Sequence, residues 1–236
     1  MPSGMAKRVM LSWSSGKDGA WALQVLRKDP ELELAGVFTT VNREFDRVAM
    51  HGVRRTLLEA QAASIGLPLF TISIPYPCRN DAYEAAMAAF VEDAKRRGVT
   101  QFAFGDLFLE DVRRYRETKL AGTGIEPLFP VWGLDTRELA HRMVAEGLRA
   151  YVTCVDPKLA PREWAGRMYD GEFLDAVPEG IDPCGERGEF HTFACEGPMF
   201  RRPLGVAVGD IVERDGFVFA DLLRRSPEAA SRSRRS

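Results

Sequence analysis

The stretch Val9-Met10-Leu11-Ser12-Trp13-Ser14-Ser15-Gly16-Lys17-Asp18-Gly19 decides how the rest of the chain is read. Its opening apolar run ends in small polar residues, the pattern of a buried strand. From Asp18 to Lys28 the residues Trp21, Leu23, Val25 and Leu26 favour a helix. A helix start leaves backbone N–H groups unsatisfied, and the helix dipole adds partial positive charge there. Such a terminus suits an anion. Gly16 and Gly19 permit close backbone approach, Ser12, Ser14 and Ser15 offer hydroxyls, and Lys17 offers a full charge. A plain connecting turn needs no such combination. Phosphate binding is the expected role.

Two other glycine signatures do not fit. A Walker loop places a glycine where Leu11 stands and Ser or Thr where Asp18 stands, and the segment holds no G-x-G-x-x-G fingerprint.

Outward from this loop, strand-like and helix-like segments alternate. Leu34 to Thr40 and Leu69 to Ile74 read as strands, with a helix between them over Gly52 to Ile65. Tyr83, Ala86, Met87, Phe90, Val91 and Ala94 form a helical stripe, expected to be core and closed by Gly98. Gln101 to Phe104 is a fourth strand, Glu110 to Leu120 a polar helix, and Leu128 to Trp132 a short strand. Asp135 with Glu138 reads as the cap of a further helix. This alternation predicts a parallel, doubly wound α/β sheet. Ligands bind beyond the carboxyl ends of such strands, so the tip after strand one and Gly105-Asp106 should face one crevice.

Past Leu134 the texture changes. Tyr151 to Val155 is one more strand, Pro161 to Ala176 gives one or two short helices, and Val206 to Leu222 is a hairpin turning at Arg214-Asp215-Gly216. The expected organisation is a nucleotide-type domain over 6–134 and a smaller α+β domain over 135–225. A disordered Ser/Arg-rich tail is expected over 226–236.

The 236 residues carry a net charge of −2 from 32 basic and 34 acidic groups, so no global field steers the chain to nucleic acid or an anionic membrane. No apolar run approaches the ~20 residues of a membrane span. Residues Met1 to Arg8 hold no apolar stretch, which speaks against a secretory signal; Met5 is an alternative start. Cys78, Cys154, Cys184 and Cys195 form no C-x-x-C pair, which speaks against zinc and against a disulfide framework. A reducing cytoplasm is the expected compartment.

Gly185-Glu186-Arg187-Gly188-Glu189-Phe190-His191-Thr192-Phe193 is dense in ionisable and small residues. If extended from Glu189, alternation puts Glu189 and His191 on one face. A carboxylate and an imidazole there could orient an amine or hold Mg²⁺ on phosphates. The plainer alternative is a polar loop leading into an edge strand. In Met50-His51-Gly52-Val53-Arg54-Arg55, His51 and Arg54 could reach an anion, although solvated basic residues at a helix start explain them too. Trp132 and Trp164 are expected to pack rather than stack on a base.

Ser14 to Gly19 resembles the S-G-G-x-D-S loop of the PP-loop ATP pyrophosphatases, with Ser15 in place of a Gly and Gly19 in place of the final Ser. Residues 185–192 resemble the G-E-G-G-E-x-E-T motif of the diphthine–ammonia ligase family: Glu186, Gly188, Glu189 and Thr192 match, whereas Arg187, Phe190 and His191 depart. Gly105, Asp106, Arg113 and Glu117 are similar to a second family stretch, and Pro130-Val131-Trp132 with Asp135 to a third. The resemblance covers most of residues 8 to 222.

It implies an adenine nucleotide alpha hydrolase-like fold and an ATP-dependent amide ligase. In that family ATP activates the carboxylate of diphthine, a modified histidine on elongation factor 2, and ammonia displaces AMP. By the same resemblance Ser14, Gly16, Lys17 and Asp18 would hold pyrophosphate and Mg²⁺, with Asp18 a metal ligand. Asp106, Arg113 and Glu117 would line the crevice, while Glu186 and Glu189, with His191 beside them, would face the acceptor. The partners implied are ATP, ammonia and a carboxylate acceptor, protein-borne or small; a homodimer stays open. The Ala- and Arg-rich composition hints at a GC-rich bacterial genome, where a small-molecule acceptor is expected. The rivals are a tRNA-modifying member of the superfamily, disfavoured by the balanced charge, and a nucleotide sensor, favoured by Gly19 but not by Glu186, Glu189 and His191.

Overall fold

A computed structural model of the chain describes residues 6–44, 47–48 and 52–225. Met50, His51 and the segments 1–5 and 226–236 lie outside the described residues, and with them the readings of Met5, of His51 and of the tail.

The first half is the expected parallel sheet. Strands β1 (Lys7–Ser12), β2 (Leu32–Asn42), β4 (Leu69–Ile74), β5 (Gln101–Ala103) and β6 (Glu126–Leu128) lie in the order β4-β2-β1-β5-β6. A two-residue strand, β3 (Arg47–Val48), pairs antiparallel with the end of β2. Strand order reverses between β1 and β5, so the crevice opens where their carboxyl ends meet.

Helices α1 (Lys17–Leu26), α2 (Arg55–Ile65), α3 (Asn80–Arg96), α4 (Glu110–Leu120) and α5 (Thr136–Ala145) connect and follow these strands. Gly66 ends α2 in the left-handed region at φ 71°. Asp135 caps α5, accepting from the Glu138 N–H at 2.9 Å, as the sequence predicts. The strand expected over Leu128 to Trp132 instead occupies Glu126–Leu128. Pro130, which has no N–H to donate, falls in the turn beyond it.

Side chains of β1 alternate between two cores. Val9 and Leu11 join a large cluster with α1, α2, α5 and the C-terminal elements, whereas Met10 joins Phe38, Phe102, Val91 and Ala94 on the other face. The expectation that the whole α3 stripe is core needs correction. Val91 and Ala94 are buried, but Tyr83, Ala86, Met87 and Phe90 are only half-buried; Tyr83 and Met87 border an open pocket between α3 and α4.

The second sheet is antiparallel and centred on β7 (Arg149–Val155). Strand β8 (Met168–Tyr169) and helix α6 (Gly171–Asp175) follow, where only helix was expected. Strand β9 (Phe190–Glu196) runs along one side of β7. The hairpin of β10 (Val206–Arg214) and β11 (Phe217–Arg224) turns at Asp215 and Gly216, both at positive φ, and completes the sheet through β11. The architecture is thus an α/β fold of the PP-loop kind with a smaller C-terminal unit. No described helix is long and apolar enough to cross a membrane.

Candidate functional site

The loop from Ser12 to Gly19 lies between the tip of β5 and the edge of β9. The Ala194 N–H donates to the Ser15 carbonyl at 2.9 Å, and the Lys17 N–H donates to Thr192 Oγ1 at 3.1 Å. A Cβ on Gly16 would meet the Thr192 carbonyl at 3.3 Å, and one on Gly105 would meet the Gly19 nitrogen at 2.9 Å. These glycines therefore let three segments close on the start of α1. Ser15 has φ 70°, a left-handed conformation that explains why the resembling loop carries glycine there. Its side chain is buried and donates to the Ser14 carbonyl. Of the three serine hydroxyls expected at the anion site, Ser12 and Ser14 line the cavity and Ser15 does not.

Gly19 lines the cavity, and a Cβ there would meet nothing closer than the Ser12 carbonyl at 3.8 Å. The hydroxyl of the resembling loop has room. Gly19→Ser is expected to keep the fold and tighten pyrophosphate binding by about 0.5–1.5 kcal/mol, one added hydrogen bond. Isothermal titration with pyrophosphate checks this, and weaker binding would show that the backbone alone is the better cradle.

Lys17 lines the cavity, with its charge already paired. Its ammonium is buried, donates to both Asp18 oxygens at 3.0 and 2.8 Å and to the Cys184 carbonyl, and lies over the Tyr169 and Phe190 rings. Burial works against its charge, but Asp18 and the other acidic neighbours outweigh it and lift its pKa above the usual value. Lys17 thus fastens the loop to the C-terminal unit while forming part of the cavity wall. Asp18 keeps a partly exposed carboxylate at the cavity wall.

The 182–189 loop is organised by two carboxylates. Asp182 accepts from the N–H groups of Cys184 (3.1 Å) and Glu186 (2.9 Å). Glu189 accepts from those of Asp182 (3.2 Å) and Arg187 (2.9 Å). Glu189 thus turns inward, buried, in place of sharing a face with His191 toward an acceptor. Glu186 and His191 do line the cavity. Glu186 accepts from the Leu107 N–H at 2.7 Å, and burial chiefly pushes its pKa up to about 7. Burial, then the Lys17 charge, push His191 down to about 4, so its imidazole is neutral at physiological pH.

On α4 the cavity residue is Arg116, which the sequence reading passed over. It pairs with Asp106 at 2.8 Å and stacks over Phe104 at 4.4 Å. Arg113, expected in the crevice with Glu117, instead pairs with Glu117 at 2.8 Å and packs over Phe129 and Trp132. Arg54 pairs with Asp221 of β11 rather than facing an anion. Trp164 is core, as expected.

Gln61 of α2 was also missed. Fully buried, it accepts from Trp13 Nε1 at 2.9 Å and donates to the carbonyls of Ser15 (3.0 Å) and Ala194 (2.6 Å). One amide thus joins α2 to the loop at two points and to β9. Gln61→Leu would strand the Trp13 indole N–H and take a donor from the Ala194 carbonyl, while the Ser15 carbonyl keeps the Ala194 N–H; a loss of about 2–4 kcal/mol is expected, at ~1–3 kcal/mol per unsatisfied buried group. Urea unfolding measures it; a loss below ~1 kcal/mol would show that water or relaxation replaces the hub.

The resulting cavity has a volume of about 210 Å³ and is walled by the α1 start, Asp106, Arg116, Glu186 and His191. Beside it lies a space of about 480 Å³, bounded by Thr39, Thr40 and Asn42 at the end of β2 and by Ile74, Tyr76 and Met87. A helix start at the switch point of a parallel sheet, next to a larger pocket, has the shape and polarity that would suit a nucleotide, in an α/β sheet of the PP-loop kind.

Residues 135–221 match the family model of the diphthamide synthase C-terminal domain. Diphthine–ammonia ligase of Homo sapiens is 23% identical over 90% of this chain and 88% of its own length. The Danio rerio protein of the same name is 25% identical, over 75% of each chain. The chain is thus similar to the diphthine–ammonia ligases over most of its length, and the resemblance read from its motifs is borne out.

Proposed function

We propose that the protein is an ATP-dependent amide ligase that activates a carboxylate as its adenylate and passes the acyl group to ammonia. The observation that carries this reading is the convergence, on one cavity, of the α1 start with Glu186 and His191 from the second unit. A protein that only senses nucleotide has no need of a raised-pKa carboxylate beside the phosphate cradle.

ATP supplies the adenylyl group: the carboxylate oxygen bonds to the α-phosphorus, and the bond to the β-phosphate oxygen breaks, releasing pyrophosphate. Ammonia then bonds to the acyl carbon, AMP leaves with the C–O electron pair, and one proton is shed. The N–H groups at the start of α1, with the Ser12 and Ser14 hydroxyls, would hold the departing pyrophosphate. These donors stabilise charge that grows in the transition state. Arg116 would face the α-phosphate, and Glu186, ionised near neutral pH, would take the proton from the nitrogen nucleophile.

Among the described residues no three His, Cys, Asp or Glu side chains converge as a metal site. That suits Mg²⁺ carried on phosphates, which needs one or two carboxylates and keeps its waters. Asp18 and Asp106 at the cavity wall fit that part.

The test is to incubate the protein with ATP, Mg²⁺, ammonium chloride and a panel of carboxylates, and to separate the nucleotide products. AMP and pyrophosphate, formed only with a carboxylate present, are expected. ADP as the main product would overturn the reading, and no turnover with any carboxylate would favour a nucleotide sensor.

A further inference from the structure

A third pocket, about 340 Å³, lies between α3 and α4 over β5. Met87 and Val91 of α3, Leu120 of α4 and the Phe102 and Phe104 rings wall it. Tyr83 and Met87, two of the half-buried residues of the α3 stripe, border it. Phe104 and Arg116 line this pocket, the phosphate cavity and the nucleoside pocket alike, so the three spaces meet at that pair.

We propose that this pocket receives the acceptor, and that the acceptor is a small monocarboxylate with an apolar, uncharged body. The inference rests on the ligase reading. An adenylating centre needs three approaches to one point: the nucleoside, the departing pyrophosphate and the incoming carboxylate. The first two have spaces of fitting polarity, and the third space is apolar. Its outer edge carries Glu84, paired with Lys119 at 2.6 Å, and Glu92, paired with Lys95 at 2.9 Å, so the charges there compensate each other. A charged acceptor body would find no unmatched partner there to offset its desolvation. The inner end offers Arg116. Its contacts to Asp106 at 2.8 and 3.4 Å use two of the five guanidinium N–H donors, leaving others for a carboxylate.

Ala88, exposed on α3, lines this pocket and neither of the others. Ala88→Trp should fill it without disturbing the core, with Ala88→Phe as a milder second variant and circular dichroism as the check on folding. Isothermal titration uses octanoate and phenylacetate as probes, acetate and glycine betaine as contrasts, and α,β-methylene-ATP as the nucleotide. Octanoate and phenylacetate should bind the wild type and weaken at least tenfold in both variants, with nucleotide affinity within about twofold. Failure of both probes to bind wild type, or equal binding by the variants, overturns the assignment. AMP production is measured separately. Probe binding at this pocket without AMP overturns the ligase reading while supporting the pocket. AMP formed only with acetate or glycine betaine, and equally in Ala88→Trp, supports the ligase and overturns the pocket.

Discussion

Lys17→Met is expected to lower stability by about 3–5 kcal/mol, the range for removing one partner of a buried ion pair. The substitution keeps most of the side-chain volume between Tyr169 and Phe190 but deletes the charge. Asp18 is then left as a largely buried carboxylate with its main partner gone, and the Cys184 carbonyl loses a donor. The partial exposure of Asp18 at the cavity wall places the effect toward the lower end. Urea unfolding of Lys17→Met against the double variant Lys17→Met/Asp18→Asn decides the cause. Removing the second charge should recover a large part of the loss, because the penalty belongs to the unpaired anion. A Lys17 that served only to meet phosphate would leave stability near wild type in the single variant.

This role was hidden in the sequence for a physical reason. A lysine in a phosphate-type loop looks the same whether it faces the anion or the protein. Only the second unit, folding back through Cys184, Tyr169 and Phe190, decides. The strands were legible because β1, β4 and β7 are compact apolar runs, and the helix cap at Asp135 has a fixed spacing. The two-residue strand β8 carries no periodicity to read. Arg113 and Arg116 lie three residues apart on a polar helix, and nothing local says which one meets the crevice; the packing of Arg116 on Phe104 does. Glu186 and Glu189 lie on either side of Gly188 in sequence, yet the loop turns one to the cavity, where it accepts from the Leu107 N–H, and spends the other on N–H groups of the loop itself. Gln61 did leave a signal: it falls on the stripe of Leu57, Leu58 and Ile65, where a polar residue must find buried partners.

Glu186→Gln is expected to lower amide formation by about 10²–10⁴-fold, the contribution of a positioned proton acceptor, while raising stability at neutral pH. Both effects follow from the same burial. In the folded protein the carboxyl pKa stands at about 7 against the usual 4.5. The folded state therefore holds this proton more tightly than the unfolded chain, and the group's contribution to stability declines as pH rises from about 4.5 to about 7. Glutamine carries no charge to desolvate and still offers an oxygen to the Leu107 N–H, so the variant should gain on wild type across that window. Catalysis runs the other way. The wild-type rate should climb toward a plateau above about pH 7 as Glu186 ionises, and the variant should lose that limb. Hydroxylamine in place of ammonia gives the cleaner profile, because it loses its own proton at lower pH, and the hydroxamate product is read by its iron colour. A variant that loses stability and activity together would make Glu186 a brace for Leu107. A variant that keeps the wild-type rate and pH limb would remove it from the chemistry.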